Sequence, residues 1–110
     1  KGETMYGRDF AECEYAWVKI GGTRIFKKNP NQSDRIHPTQ KPVALYQWIY
    51  KNYLPEGGKV LDTHLGSGSN RIAADKAGNI EFTACELDTE YFIAQEKRWK
   101  DYKSQLSLFA

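Results

Sequence analysis

Cysteine is scarce in this chain: Cys13 and Cys85 are the only two among 110 residues. Two thiols so far apart in sequence exclude a disulfide-dense secreted scaffold and a multi-cysteine zinc module. Free cytosolic thiols are the default reading. Long apolar runs are missing too. No stretch approaches the roughly 18–20 consecutive apolar residues that a spanning helix needs. The first ten residues mix Lys1, Glu3, Arg8 and Asp9 instead of presenting a signal peptide. Neither sign of charge dominates, since sixteen basic residues stand against fourteen acidic ones for a net charge of +2. What is present is enough for one core: 40% of the residues are hydrophobic and 27% charged, which fits a single domain and argues against wholesale disorder. The first residue is not Met and the opening matches no obvious domain start, so a fragment is expected.

The charge is unevenly placed. Residues 1–18 carry net −2 and the stretch after residue 41 carries net −1. Residues 19–41 carry net +5, with Lys19, Arg24, Lys27, Lys28, Arg35 and Lys41 against Asp34 alone. A positive field gathered in one stretch suits a phosphate-tracking surface, and equally a loop kept soluble by its lysines. Arg24, Lys27, Lys28 and Arg35 are the candidate contacts to nucleic-acid phosphates, of DNA or RNA.

Two β-rich runs, Tyr15-Ala16-Trp17-Val18-Lys19-Ile20 and Thr23-Arg24-Ile25-Phe26-Lys27, flank Gly21-Gly22 and predict a hairpin. A polar, turn-forming loop follows over residues 29–34. A helix is expected from about Pro42, with Leu45, Trp48, Ile49 and Tyr53 as its buried stripe. Pro55-Glu56-Gly57-Gly58 ends it. Lys59-Val60-Leu61-Asp62 reads as a short buried strand, Leu65-Gly66-Ser67-Gly68-Ser69 as a glycine-rich turn, and residues 70–77 as a helix carrying Ile72, Ala73 and Ala74. Residues 81–87 read as a second strand, with Cys85 as packing. Asp88 or Thr89 caps a last helix reaching about Tyr102, with Phe92 and Trp99 on one face. Residues 103–110 read as an unstructured tail. Helix, strand, helix, strand, helix predicts an α/β layered sheet with parallel strands, whose ligand site lies beyond the carboxyl ends of the strands.

That end of the sheet carries the chemistry. Asp62 closes a strand, Gly66 and Gly68 form a tight loop, and a helix with free N–H groups starts at once. The next strand reaches Glu86. An acid at that place accepts hydrogen bonds from the two hydroxyls of a ribose. Arg71 stands where a Gly-x-Gly-x-x-Gly motif needs its third glycine, and no Gly-Lys-Ser/Thr ending is present. A pyrophosphate cofactor or ATP is therefore disfavoured, and with it a nicotinamide-dependent oxidoreductase. A cofactor with ribose and adenine but no phosphate fits better, namely S-adenosyl-L-methionine. A glycine turn in an unrelated α/β domain is the plainer alternative.

Asp62-Thr63-His64-Leu65-Gly66-Ser67-Gly68-Ser69 resembles the Asp-Pro-Phe-x-Gly-Ser-Gly-Thr motif of the amino-group DNA methyltransferases, which modify adenine N6 or cytosine N4. His37-Pro38-Thr39-Gln40-Lys41-Pro42 resembles the His-Pro-Thr-x-Lys-Pro element that precedes it in the permuted, beta-type members. Glu86-Leu87-Asp88, Tyr91 and Arg98 are similar to a further family pattern, and Glu14-Tyr15-Ala16-Trp17 resembles the segment between the catalytic motif and the cofactor half. The resemblance covers nearly the whole chain. It implies a partial Rossmann-like methyltransferase fold preceded by a β-hairpin. Residues 1–36 would be the hairpin and basic loop, 37–102 the cofactor-binding half and 103–110 a flexible tail. It further implies that Asp62, Gly66, Ser67 and Gly68 hold the methionine part, that Glu86 binds the ribose and Leu87 packs on adenine, and that Thr39 and Lys41 close the methionine end. Thr63, His64 and Ser69 depart from the family's Pro, Phe and Thr.

The family's catalytic (Asp/Asn/Ser)-Pro-Pro-aromatic motif is absent, since no Pro-Pro occurs here. The expectation is the cofactor-binding half of a bacterial or phage DNA methyltransferase, cytoplasmic and acting on adenine N6 of double-stranded DNA, with no catalytic residue of its own and no activity alone. Cytosine N4 is the alternative chemistry. A non-catalytic module binding DNA or the sliding clamp is the alternative of another class. Gln105-Leu106-Ser107-Leu108-Phe109 resembles the peptide with which bacterial replication and repair proteins dock onto that clamp, with Leu108 and Phe109 as anchors on a tether. No carboxylate or thiolate recurs at ligand spacing near His37 or His64, so no metal is expected. A half-domain leaves a sheet edge and an apolar face uncovered, and self-association or marginal stability is expected from that.

Overall fold

Pro42 has no amide hydrogen to leave unsatisfied at a helix start, and a helix begins directly after it. In the computed structural model, which describes residues 16–19, 25–26 and 40–108, α1 spans Val43–Tyr53 with Pro42 extended at its N-cap. The Leu54 N–H returns to Tyr50 O at 2.9 Å, and the chain turns into β1, Gly58–Asp62. That turn requires glycine, because Gly57 has a φ of +86° and a Cβ there would collide with Asn79 O. α2 covers Ser69–Ala77, β2 Ile80–Ala84 and α3 Thr89–Leu108. β1 and β2 are parallel, with Gly58 opposite Ile80 and Asp62 opposite Ala84. β1, α2 and β2 thus form a βαβ unit, in the element order that the glycine punctuation predicts. Of the hairpin expected over residues 15–27, the described residues 16–19 and 25–26 carry no strand; the rest of it, and the basic loop after it, lie outside the described residues.

Tyr50, Ala73 and Ala74 form the buried centre, with Val43, Tyr46, Leu54, Val60, Ile80 and Phe82 packed around it. The two alanines carry so little bulk that α1 can approach α2 closely. The face α1 turns inward differs from the expected one. Leu45, Trp48, Ile49 and Tyr53 are only half-buried, and the Trp48 ring meets Phe26 at 5.6 Å and Tyr53 at 6.2 Å. The inward stripe is Val43, Tyr46, Tyr50 and Leu54. The cause is the Tyr50 hydroxyl, which donates to Asn70 Oδ1 and so has its polar tip satisfied inside the core. Burial pushes this hydroxyl up to about 12, with Asp62 and Tyr46 adding to the effect and the Asn70 bond opposing it.

The strands expected to be buried are covered on one face only. Leu61 is 68% exposed, and Lys59, Glu81 and Thr83 on the same alternation are exposed as well. Cys85 lies one residue past β2 and is exposed, not packed.

α3 also departs from expectation. Its start is as expected, with the Tyr91 N–H donating to Asp88 Oδ1 at 3.0 Å as a cap. It does not stop near Tyr102 but runs on to Leu108, so residues 103–108 are helix and not a loose tail. No glycine or proline interrupts this stretch. The Tyr102 hydroxyl donates to Asp75 Oδ2 at 2.8 Å, and Lys103 Nζ lies 3.4 Å from the same oxygen. Burial and the Asp75 bond push the Tyr102 hydroxyl up to about 12. Its inward face is polar: Phe92 is 44% exposed, whereas Gln95 is 1% exposed.

Candidate functional site

Past the carboxyl ends of β1 and β2 the two strands continue as strapped loops. The Cys85 N–H donates to Asp62 O at 3.0 Å, and the Leu65 N–H donates to Cys85 O at 3.0 Å. Glu86 ties them more tightly. Its Oε1 accepts from the Gly66 N–H at 2.7 Å and its Oε2 from the Asp88 N–H at 2.9 Å. Hydrogen bonds to an ionised acceptor are the short, strong ones. A carboxylate has about four lone-pair sites, so each oxygen keeps a further direction for a ligand hydroxyl.

Asp62 serves the loop from the other strand. Its Oδ1 accepts from the His64 N–H at 3.0 Å and its Oδ2 from Asn70 Nδ2 at 3.0 Å. Asn70 in turn receives the Tyr50 hydroxyl, so a polar chain runs from α1 through α2 to the end of β1.

α3 supports the loop from behind. Gly68 is the N-cap of α2 at φ +85°, and a Cβ there would stand 3.2 Å from Gln95 Cβ. Arg98 Nη1 lies 2.9 Å from Ser69 Oγ, 3.1 Å from Ser67 O and 3.2 Å from Ser67 Oγ. Arg71 Nη1 donates to Gln95 Oε1 at 3.2 Å and to Glu96 Oε2 at 2.8 Å. The Arg71 bond, then that of Gln95, holds the Glu96 carboxyl below its usual range. The one residue that α3 buries is polar: Gln95 packs on Gly68, accepts from Arg71 Nη1 and donates from its Nε2 to Glu96 Oε2.

Together these elements enclose a cleft of about 570 Å³. The loop contributes His64, Leu65, Gly66, Ser67 and Ser69 to its wall, and the turn after β2 contributes Glu86, Leu87 and Asp88. Tyr91 of α3 and Gln40, Lys41 and Tyr46 at the start of α1 complete it. Leu87 is 98% exposed, a bare apolar side chain beside an acid.

Of the residues singled out in the sequence, Lys41, Gly66, Ser67, Glu86 and Leu87 meet on this wall. Asp62 and Gly68 do not line it; they shape the loop that does. Thr39 lies outside the described residues, as do Arg24, Lys27, Lys28, Arg35 and Phe109. Gln105, Leu106 and Leu108 sit exposed on the last turns of α3, away from any flexible tether. Sequence reasoning assigned no part to Gln40, Tyr46 or Ser69 in the wall, or to Asn70 and Gln95 behind it. Arg98 stood in a matching pattern without a role. Tyr46 had no such signal, since Lys41 lies ahead of α1 and five residues away. Among the described residues no group of three His, Cys, Asp or Glu is placed to hold a metal ion, and no helix is long and apolar enough to cross a membrane.

Residues 10–97 match a family model described as DNA methylase (N6_N4_Mtase). The chain is 31% identical over 93 residues to the Escherichia coli (strain K12) protein named "Putative methylase YubD", covering 79% of this chain and 40% of that protein. It is 36% identical over 62 residues to the type II methyltransferase M2.DpnII of Streptococcus pneumoniae, covering 56% of this chain and 23% of that one. The chain therefore spans less than half the length of these curated relatives. No solved structure matches it.

Proposed function

The chain belongs to the DNA methylase family, and from that premise we propose that its cleft binds S-adenosyl-L-methionine for methyl transfer to an amino group of DNA, adenine N6. The observation that carries the reading is the Glu86 carboxylate, fixed by the Gly66 amide at 2.7 Å on the wall of the cleft. The donor set fits this ligand. The volume of about 570 Å³ falls within the ~300–1,000 Å³ usual for small-ligand sites. Glu86, held by two backbone amides, keeps lone pairs for a pair of ribose hydroxyls. Leu87 offers an adenine ring apolar surface that is otherwise bare to water. The backbone of Gly66 and Ser67, shaped by Asp62 and Gly68, takes the methionine part, with Lys41 and Thr39 closing that end. The bound donor supplies an electrophilic sulfonium methyl; the residues of this chain bind and orient it.

In the same reading the βαβ unit is part of a Rossmann-like methyltransferase fold of the permuted, beta type. Residues 37–102 are its cofactor half, and the partner base and its catalytic motif lie elsewhere. The basic stretch with Arg24, Lys27, Lys28 and Arg35 faces DNA phosphates. Gln105, Leu106, Leu108 and Phe109 would serve as a clamp-docking segment only if the last turns of α3 unwound, and the bare side of the sheet, with Leu61, promotes self-association.

Titration calorimetry of the chain with S-adenosylmethionine tests the central claim. Saturable binding is expected, weakened at least about tenfold by Glu86→Ala, the loss of a charged hydrogen-bonding partner being worth about 1.5–3 kcal/mol, and abolished by Gly68→Val. A folded wild-type chain that ignores the ligand, or a Glu86→Ala variant that binds as tightly, sinks it.

A further inference from the structure

Ser67 and Ser69 are 4% and 3% exposed, yet both stand on the cleft wall. Buried hydroxyls need partners, and one group on α3 serves both. Arg98 Nη1 donates to Ser69 Oγ at 2.9 Å, to Ser67 Oγ at 3.2 Å and to Ser67 O at 3.1 Å. A guanidinium has no acceptor, so toward it all three oxygens are acceptors. The peptide between Ser67 and Gly68 is thereby held at both ends, its carbonyl by Arg98 and its N–H by Leu65 O at 3.1 Å. Neither serine hydroxyl hydrogen is spent on Arg98. The two Oγ atoms lie 3.4 Å apart and share one hydrogen, which leaves the other for an acceptor in the cleft. Arg98 itself is not part of the cleft wall.

We propose that Arg98 is a positioning residue for the amino-acid end of the ligand: from behind the wall it sets the Ser67–Gly68 peptide and one serine hydroxyl to receive a carboxylate. The inference rests on the cleft being the S-adenosylmethionine site. Without Arg98 the Ser67 carbonyl loses its partner beside a glycine, the residue that resists rotation least. The serine hydroxyls are then free to turn to each other or to that carbonyl. A ligand would have to order them as it binds, at a cost in affinity. The other end of the cleft is fixed separately. Glu86 is held by the Gly66 and Asp88 amides, and neither bond involves Arg98. Loss of Arg98 therefore falls on the amino-acid end of the ligand and spares its ribose and adenine.

The test compares two thioethers that share adenine and ribose: S-adenosylhomocysteine carries the amino-acid end and methylthioadenosine lacks it. Calorimetry of the full 110-residue chain gives the affinity for each, at a temperature where circular dichroism shows every variant folded. Arg98→Ala is expected to weaken S-adenosylhomocysteine about tenfold and methylthioadenosine less than about twofold, the size of a lost charged hydrogen bond at one end only. Arg98→Lys keeps the charge and a good helix former, so the comparison stands if the alanine variant does not fold. It is expected to show the same one-sided loss, about threefold. Equal weakening of both ligands in a folded variant makes Arg98 a support of the fold alone and overturns this inference, as does weakening of neither; the binding site stands in both cases. A folded wild-type chain that binds neither thioether overturns the site assignment and this inference with it.

Discussion

Arg98 Nη1 stands 2.9 Å from Ser69 Oγ, joining the long C-terminal helix to the first residue of the helix that follows the glycine loop. The same nitrogen reaches Ser67 O and Oγ, so one guanidinium nitrogen bridges Ser67 and Ser69 across Gly68. Arg98→Ala should destabilise the chain by about 1.5–3 kcal/mol, the usual worth of hydrogen bonds to a charged group. Arg98→Lys should recover only part, because the lysine nitrogen ends one bond short of the position that Arg98 Nη1 takes beside Ser67 and Ser69. Urea unfolding of the three proteins measures this, and an alanine variant as stable as wild type would refute it.

Glu86 makes a second comparison. Glu86→Gln keeps the shape but turns one acceptor into a donor, which then faces the Gly66 or the Asp88 N–H. A loss of about 1–3 kcal/mol in stability is expected from the unsatisfied donor. Thermal melts without any ligand give the answer, so this outcome is independent of the ligand assignment.

Two glycines at nearly the same backbone angle should respond differently. Gly57 and Gly78 have φ of +86° and +83°, but a Cβ on Gly78 meets nothing within 4 Å, whereas one on Gly57 collides with Asn79 O. Gly78→Ala should cost about 1–2 kcal/mol, the left-handed penalty alone. Gly57→Ala should cost clearly more, since backbone must move. Equal effects in denaturant midpoints would contradict the crowding at Gly57.

The raised hydroxyls of Tyr50 and Tyr102 set an alkaline limit. Both move from an ordinary value of 10.0 to about 12 in the folded chain. Between those values the unfolded chain has lost protons that the folded chain retains, so stability falls as pH rises through this window and is fully present below it. Tyr50→Phe should flatten the decline. Unfolding free energy measured from neutral pH to about pH 12 tests it, and an unchanged slope in the variant rules Tyr50 out as a source.

Ending the chain after Tyr102 removes the Lys103–Asp75 pair and the exposed turn with Leu106 and Leu108, but nothing in the core. An exposed pair is worth about 0–1 kcal/mol, so the melting temperature should drop by only a few degrees. Helical circular dichroism should fall in proportion. Collapse of the truncated chain would mean that the last turns pack on something essential.

The fold was readable where glycine punctuates it. Gly57-Gly58, Gly66-Ser67-Gly68 and Gly78 mark three turns, and the parallel pairing follows from the helix between the strands. Glu86 was expected at the tip of a strand over residues 81–87; β2 ends at Ala84, and Glu86 stands two residues past it on the cleft wall. What escaped depends on rotation and on polar partners that lie far apart in sequence. Tyr50 displaces the more apolar Trp48 from the core because Asn70, twenty residues on, satisfies its hydroxyl. Gln95 occupies the face of α3 that looked suited to Phe92, because its neighbours are loop atoms and an arginine, not aliphatic side chains. The extension of α3 was hidden by its polar composition, which reads as a tail until Asp75 is seen against Tyr102 and Lys103.

Gln95, almost wholly enclosed against Gly68, bears on what binding at this turn would cost. The glycine turn is already braced, so a molecule docking on it would not have to freeze a wandering backbone. The entropy of ordering that segment is lost once, when the chain folds, and not again at each encounter.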